Sequence, residues 1–423
     1  MKLSKLAAVA VLALASARAS AFHSGGVGQC EGCHTIHDGT NSVRAGTAGA
    51  YLLRGSDPSS VCLNCHGSPT SLPYAVFTNA STPGLPPHNY TPGGDFAWLQ
   101  KSYSWTDSHG IQSSPGEHHG HSVVASDYGL APDSTRRTAP GFGSGGGYPA
   151  DALSCISCHD PHGRYRVLDS SGRVDTAGAP IVGSGSYGDP AGFLQPSSAF
   201  AIGAYRLLAG NGYVPKSLPS VQPFNANPPV ALSPSTYNQG ESATDVRVAY
   251  GVGMNEWCGN CHGTFHATGG GGFEHPSSAG TKLGITASIY DAYVKTGDLS
   301  NTQKTSYTSL VPYEEGTSDR GALSKHARND GSAVDGPITN MENVMCLTCH
   351  RAHASGWDSA LRWNTKADYI VSGGNWPGTD NTASPAISQG RTSAETRAAM
   401  YDRNPGAFAA FQRSLCNKCH AKD

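Results

Sequence analysis

Every cysteine of this chain lies in a Cys-x-x-Cys-His pentapeptide, and that regularity constrains the fold more than any other feature. The six copies are Cys30, Cys33, His34; Cys62, Cys65, His66; Cys155, Cys158, His159; Cys258, Cys261, His262; Cys346, Cys349, His350; and Cys416, Cys419, His420. Two thiols so spaced can each form a thioether to one vinyl group of a haem, and the adjoining histidine can bind its iron. Cys-x-x-Cys alone would also serve as half a zinc site or a redox pair, and a disulfide framework would use only the thiols. Neither of those readings requires a histidine after the second cysteine in all six copies. The pattern therefore predicts six c-type haems with no thiol left over.

Glycine and proline are abundant, 53 and 27 of 423 residues, and charged residues are only 14% against about 25% in ordinary globular chains. On composition alone such a chain would form a thin core. Large apolar porphyrins change that, because backbone can wrap around them as loops and the cofactor becomes the core. The predicted fold is mostly irregular coil with short helices, many at or beside the motifs, and few strands: an elongated multihaem c-type cytochrome with a haem-chain core. The motifs begin at 30, 62, 155, 258, 346 and 416 with no fixed period, so the chain is not a solenoid of equal units. Residues 22–423 read as one domain, with Gly141 to Tyr148, Gly183 to Gly188 and Gly269 to Gly272 as loops. Ile285, Ile289 and Tyr293 mark a helix stopped by Gly297. Thr392 to Glu395 is a capping box opening a helix towards Arg403, and a further piece is expected from Ala407 to Leu415.

Residues 1–21 read as a secretory signal, with Lys2 and Lys5 before the apolar run Leu6 to Leu14 and small residues Ala19, Ser20 and Ala21 at the cleavage site. That run is too short to span a bilayer, and no later run approaches its length, so no transmembrane segment is expected after cleavage. Export suits a covalently attached haem. A formal charge of −2 gives no argument for nucleic acid. Haem propionates add negative charge, and Arg164, Arg166 and Arg351 are candidates to pair with them.

Six histidines serve as proximal ligands and twelve remain: His23, His37, His88, His109, His118, His119, His121, His162, His266, His275, His326 and His353. Met254 and Met345 lie too close to their own motifs to cap the same iron. Bis-histidine coordination is therefore expected, and with it potentials at the low end of the haem range. His37, His162 and His353 each follow a motif histidine by three residues and His266 follows by four. On a helical turn such a side chain cannot reach the far face of its own haem but can reach a stacked neighbour. His275 and His326 could be carried by loops, and His118, His119 and His121 could also serve a divalent metal. His88 and His109 read as surface histidines. Asn329, Asp330 and Asp335 read as solvated acids and amides rather than a calcium site.

The segments Ala21 to Val27, Tyr90 to Phe96, Cys158 to Gly163, Cys349 to Gly356 and Leu415 to Asp423 carry a resemblance. The chain resembles the hexahaem outer-surface cytochromes of metal-reducing bacteria, which form extracellular filaments, and the likeness runs from the signal peptide to the last residue. It implies a homopolymer with haems in one continuous row, in which a histidine just after the first motif ligates a haem of the next subunit; His37 is the match here. It also retains His23, His121, His162, His266, His275, His326 and His353 as distal candidates, and demotes His88, His109, His118 and His119. Eight candidates for six irons leave two surplus.

The function expected from these residues is electron transfer by closely stacked bis-His haems, not catalysis, with other redox proteins and extracellular acceptors as partners. A monomeric shuttle is the alternative. A multihaem reductase would need an open iron, often signalled by a motif ending in Lys, and none occurs.

Overall fold

The computed structural model describes residues 30–35, 52–70, 75–79, 85–140, 147–161, 167–168, 174–175, 208–229, 231–232, 241, 247–263, 275, 277–328, 332–381 and 383–420. Residues 1–21, read above as a secretory signal, the histidines at 23, 37, 162 and 266, the arginines at 164 and 166, Asn329 and Asp330 lie outside these residues, as does most of each Gly/Ser-rich stretch.

Coil dominates. The longest described helix is Pro58–His66, of nine residues, and all six motifs begin on or against a single helical turn. Four sheets of two strands each are described. The largest is the hairpin Tyr103–Asp107 with Gly110–Ser114, in which Tyr103 pairs with Ser114 and Asp107 with Gly110. Nothing in the sequence reading marked it, because Tyr-Ser-Trp-Thr-Asp alternates only weakly and its turn is Ser108-His109. No described helix is long and apolar enough to cross a membrane.

The apolar core is divided among small clusters rather than gathered into one. Leu63 anchors a cluster with Phe77, Phe96, Val123 and Leu130 beside the second motif. Leu208, Val248, Tyr250, Met254, Met345 and Leu347 pack against Cys158 and Cys258. Tyr290, Tyr307, Tyr313, Trp363 and Leu415 pack against Cys349 and Cys419. These three clusters thus border one or more motifs, as expected where the cofactor supplies much of the core.

The capping box forms as read: Thr392 Oγ1 accepts the Glu395 amide at 3.2 Å and Glu395 Oε2 accepts the Thr392 amide at 3.0 Å. Its helix, Ser393–Ala399, stops short of Arg403 because Tyr401 and Asp402 turn to positive φ. The Tyr401 hydroxyl bonds Thr91 O at 2.6 Å and its ring lies under Arg351, tertiary contacts that override helical propensity. The helix expected over residues 407–415 is absent. Gln412 instead lends its side chain to the Thr296 amide at 3.1 Å and its carbonyl to Ile370 N at 2.8 Å. The helix near residue 289 spans Thr286–Ala292, and its buried stripe is Leu283, Ala287 and Tyr290, leaving Ile285 79% exposed. Tyr290 wins the inward position because its hydroxyl reaches Val311 O at 2.8 Å.

Candidate haem-binding chain

A helical turn is what the pentapeptide needs, since it sets the two cysteines on one side with the histidine following. The turns are closed by bonds from the histidine amide to the first cysteine carbonyl: His159 to Cys155 at 2.9 Å, His262 to Cys258 at 2.9 Å, His350 to Cys346 at 3.0 Å and His420 to Cys416 at 2.9 Å. Short turns need external caps. Asp57 accepts the Ser60 amide at 2.8 Å for the second motif, and Thr348 Oγ1 accepts the Met345 amide at 3.1 Å for the fifth. For the fourth, buried Glu314 accepts the Gly253 amide at the start of Met254–Cys258. Burial pushes the Glu314 carboxyl up to about 7. A carboxyl raised in the folded state contributes stability below its ordinary value of 4.5 that is lost as pH rises through about 7. Unfolding of the holoprotein should therefore become easier between those values, and Glu314→Gln should flatten that slope.

The imidazoles are aimed by their second nitrogen. His262 Nδ1 donates to Pro140 O at 2.6 Å, His350 Nδ1 to Ser359 O at 2.7 Å and His121 Nδ1 to Ala352 O at 2.6 Å. A ring tied through Nδ1–H presents the Nε2 lone pair to a metal. Ser359 and Ala360 both hold positive φ, 58° and 55°, at the point where the carbonyl meets His350.

Three motif histidines face a second imidazole. Ring centres are 6.3 Å apart for His159 and His353, 6.1 Å for His262 and His121, and 5.9 Å for His420 and His275. Two imidazoles on opposite faces of one iron, each at a bond of about 2 Å, put their ring centres about 6 Å apart, so the spacing fits a six-coordinate haem iron. Burial depresses the pKa of His353 to about 3, helped by nearby His159, His121 and His66, and burial also lowers His121 and His350. Neutral imidazole is the ligating form.

His121 and His353 share one backbone scaffold. His353 N donates to Gly93 O at 2.7 Å, Asp95 N to Ala354 O at 3.1 Å and His121 N to His353 O at 2.9 Å. The approach is possible because two glycines lack a side chain. A Cβ on Gly94, at φ +97°, would stand 1.8 Å from Ala354 O, and one on Gly120 would stand 2.2 Å from His353 O. Gly120→Ala should therefore cost about 1–3 kcal/mol and disturb two irons at once, read as lost low-spin signal in the ferric spectrum.

Consecutive motifs abut in chain order. Cys33 neighbours Cys62, Cys62 neighbours Cys155, and Cys158 neighbours Cys261. Cys258 neighbours Cys346, and Cys349 neighbours Cys416 and Cys419. Side chains outside the motifs tie them together. The Tyr213 hydroxyl donates to Ile156 O at 2.6 Å in the third motif, and Trp257, beside the fourth, donates to Ala209 O at 2.8 Å. Arg362 Nε donates to Leu347 O at 2.6 Å in the fifth, and Trp363 Nε1 to Ser414 Oγ at 2.9 Å ahead of the sixth. Sequence reasoning missed these residues; Trp257 and Ser414 could have been found by asking which polar groups stand within one turn of a motif.

The described cysteines form no disulfide. Among the described residues the ligand atoms that converge within 4.8 Å belong to Glu117, His118 and Asp133, with no cysteine. Ser134 and Thr135 already donate to both carboxylates. The 118–121 histidines diverge rather than forming one metal site. His119 is buried with Nδ1 on Trp98 O at 3.0 Å and Nε2 on Ser114 Oγ at 2.8 Å, a structural histidine. His109 is exposed at the hairpin turn, but His88 is half-buried rather than a surface residue. His326 is held by Glu315 at 2.7 Å, and that bond raises its pKa. Met254 and Met345 are buried in the apolar cluster. Arg351 is answered by Glu241 Oε2 at 2.8 Å, and Asp335 by Lys304 at 3.3 Å.

No protein-family model matches the chain. It is 47% identical to the C-type cytochrome OmcS of Geobacter sulfurreducens over 440 residues, covering 100% of this chain and 99% of the relative. Among solved structures it is similar to the OmcS nanowires of the same organism, with a TM-score of 0.83 and 44% identity over 95% of this chain and 100% of that one. It is also similar to the Outer Membrane Cytochrome S filament of Geobacter sulfurreducens, with a TM-score of 0.82 at the same identity and coverage. The helix-poor coil organised around six motifs is thus the fold of a known multihaem cytochrome, and its cofactors are c-type haems. The chain belongs to the OmcS family of c-type cytochromes.

Proposed function

We propose that this chain is an exported electron-transfer protein, not an enzyme, that carries six c-type haems and polymerises into an extracellular filament. Residues 1–21 are its signal peptide and 22–423 its single haem-bearing domain. Electrons pass along the filament to external acceptors such as a mineral or another cell, and redox proteins supply them. The observation that carries this reading is the succession of six abutting motifs, three of them with an opposed imidazole at the spacing of a six-coordinate iron. When bound, the haems supply reversible one-electron chemistry at iron.

The residues of the chain do the rest. The twelve cysteines fix each haem edge, the six motif histidines hold one face, and His121, His275 and His353 cap the other face of the fourth, sixth and third haems. The Nδ1 bonds of His121, His262 and His350 to backbone carbonyls keep those three rings from turning. The first, second and fifth haems draw on His23, His37, His162, His266 and His326. Among the described residues no imidazole ring stacks opposite His350, whose own ring is fixed on Ser359. That face suits His37 of the partner subunit, and the relatives named as filaments and nanowires are the precedent for such a polymer.

Pyridine haemochrome analysis together with negative-stain imaging of the secreted protein tests the reading. Six haems per chain in filaments is the expected result. Materially fewer haems, or particles that sediment as monomers at every concentration, would overturn it.

A further inference from the structure

Ser59 and Asn255 occupy equivalent places, each three residues before the first cysteine of a motif, and both are completely buried. Each reaches across to the next motif and accepts the backbone amide of its first cysteine. Ser59 Oγ takes Cys155 N at 3.1 Å, and Asn255 Oδ1 takes Cys346 N at 2.8 Å. At both junctions the two first cysteines face each other, Cys62 with Cys155 and Cys258 with Cys346. The junction between the third and fourth motifs is built otherwise. The residue three before Cys155 is Ala152, which has no acceptor, and there the second cysteines Cys158 and Cys261 are neighbours.

Both acceptors are themselves held. Ser59 sits in the first turn of Pro58–His66, capped by Asp57. Asn255 spends its amide group on Val344 O at 3.0 Å and Glu314 Oε2 at 3.3 Å. A backbone amide is untouched when the neighbouring sulfur becomes a thioether, so this bond persists in the haem-loaded protein. Leaving a buried amide without its acceptor is costly, so each bond fixes one motif's register on the next.

We propose that Ser59 and Asn255 are positioning residues that set the separation and tilt of the haems at the second-to-third and fourth-to-fifth junctions. The proposal rests on the electron-transfer reading above. Tunnelling falls exponentially with distance between ring edges, so slack at either junction slows the whole row.

The test is Soret-region circular dichroism of the six-haem protein, in which closely set haems give an excitonic couplet sensitive to their distance and angle. Ser59→Ala and Asn255→Ala should each weaken the couplet while haem content and low-spin absorption stay at wild-type levels. Ser59→Thr, which keeps the acceptor oxygen, should restore it. Should Asn255→Ala fail to retain its haems, Ser59→Ala and Ser59→Thr decide the matter. A couplet unchanged in Ser59→Ala, or weakened equally in Ser59→Thr, would overturn the proposal. Absence of any couplet in the wild-type protein would instead sink the stacked-haem reading itself.

Discussion

Replacing His37 by alanine is expected to leave all six haems attached, abolish filaments and turn one haem from low to high spin. Attachment survives because it depends on the thioethers of the motif cysteines, none of which the substitution touches. The first, second and fifth motifs are the candidates for that haem, since among the described residues His159, His262 and His420 are the motif histidines that face a second imidazole. His350 holds one face, tied through Nδ1 to Ser359 O at 2.7 Å, and the described residues set no ring against the other. Each interface of the polymer then loses a metal–ligand bond, and with it the element that fixes the gap between the haems of one subunit and those of the next. Added imidazole should bring the spin state back without bringing filaments back, since a free ligand fills the iron but joins nothing. Absorption near the high-spin charge-transfer band and negative-stain images read the two effects separately. Normal filaments in the variant would refute an intersubunit histidine as the joining element.

The candidate site was far more legible in the sequence than the fold that holds it. Covalent haem attachment leaves a contiguous pentapeptide, so all six motifs could be read directly. Distal histidines leave only a residue type, so position alone left eight candidates for six irons. The resemblance kept His121, His275 and His353, each of which faces a motif histidine, and demoted His119, which proves to be core. It also kept His326, whose Nδ1 is bonded to Glu315 and whose Nε2 is left for a metal, a contact no local pattern announces. The Thr392 capping box was legible because its partners lie three residues apart, whereas the segment 407–415 was misread because Gln412 takes its partners more than a hundred residues away, at Thr296. Contacts of that kind replace secondary structure here. In a coil-rich chain, side chains such as Arg362 and Tyr213 satisfy the backbone groups that helices would otherwise pair, and their targets are set by tertiary placement.

Glu241→Gln is expected to destabilise the holoprotein by about 3–5 kcal/mol. Glu241 Oε2 receives Arg351 Nη1 at 2.8 Å and Arg362 Nη1 at 2.9 Å, and all three side chains are no more than 1% exposed. The Tyr250 hydroxyl donates to Oε1 at 3.0 Å. Arg362 also carries Ser309 O and Leu347 O, and Arg351 carries Pro92 O while covering the ring of Tyr401, so the pair clamps the fifth motif to three distant segments. Removing the carboxylate leaves two guanidiniums buried with no counter-charge, and neither can shed its proton. Burial alone would raise the Glu241 pKa, but Arg362 and Arg351 outweigh it and hold the carboxyl below the ordinary value of 4.5. A depressed carboxyl contributes stability that is present above its unfolded value and lost as pH falls through its folded value. The gap between wild type and Glu241→Gln should therefore be full at neutral pH and close in acid, below about 4.5. Denaturant unfolding followed by the Soret band at several pH values measures that gap. A constant difference across the acid range would mean that the carboxylate charge is not what holds the clamp, and that Glu241 acts only by shape.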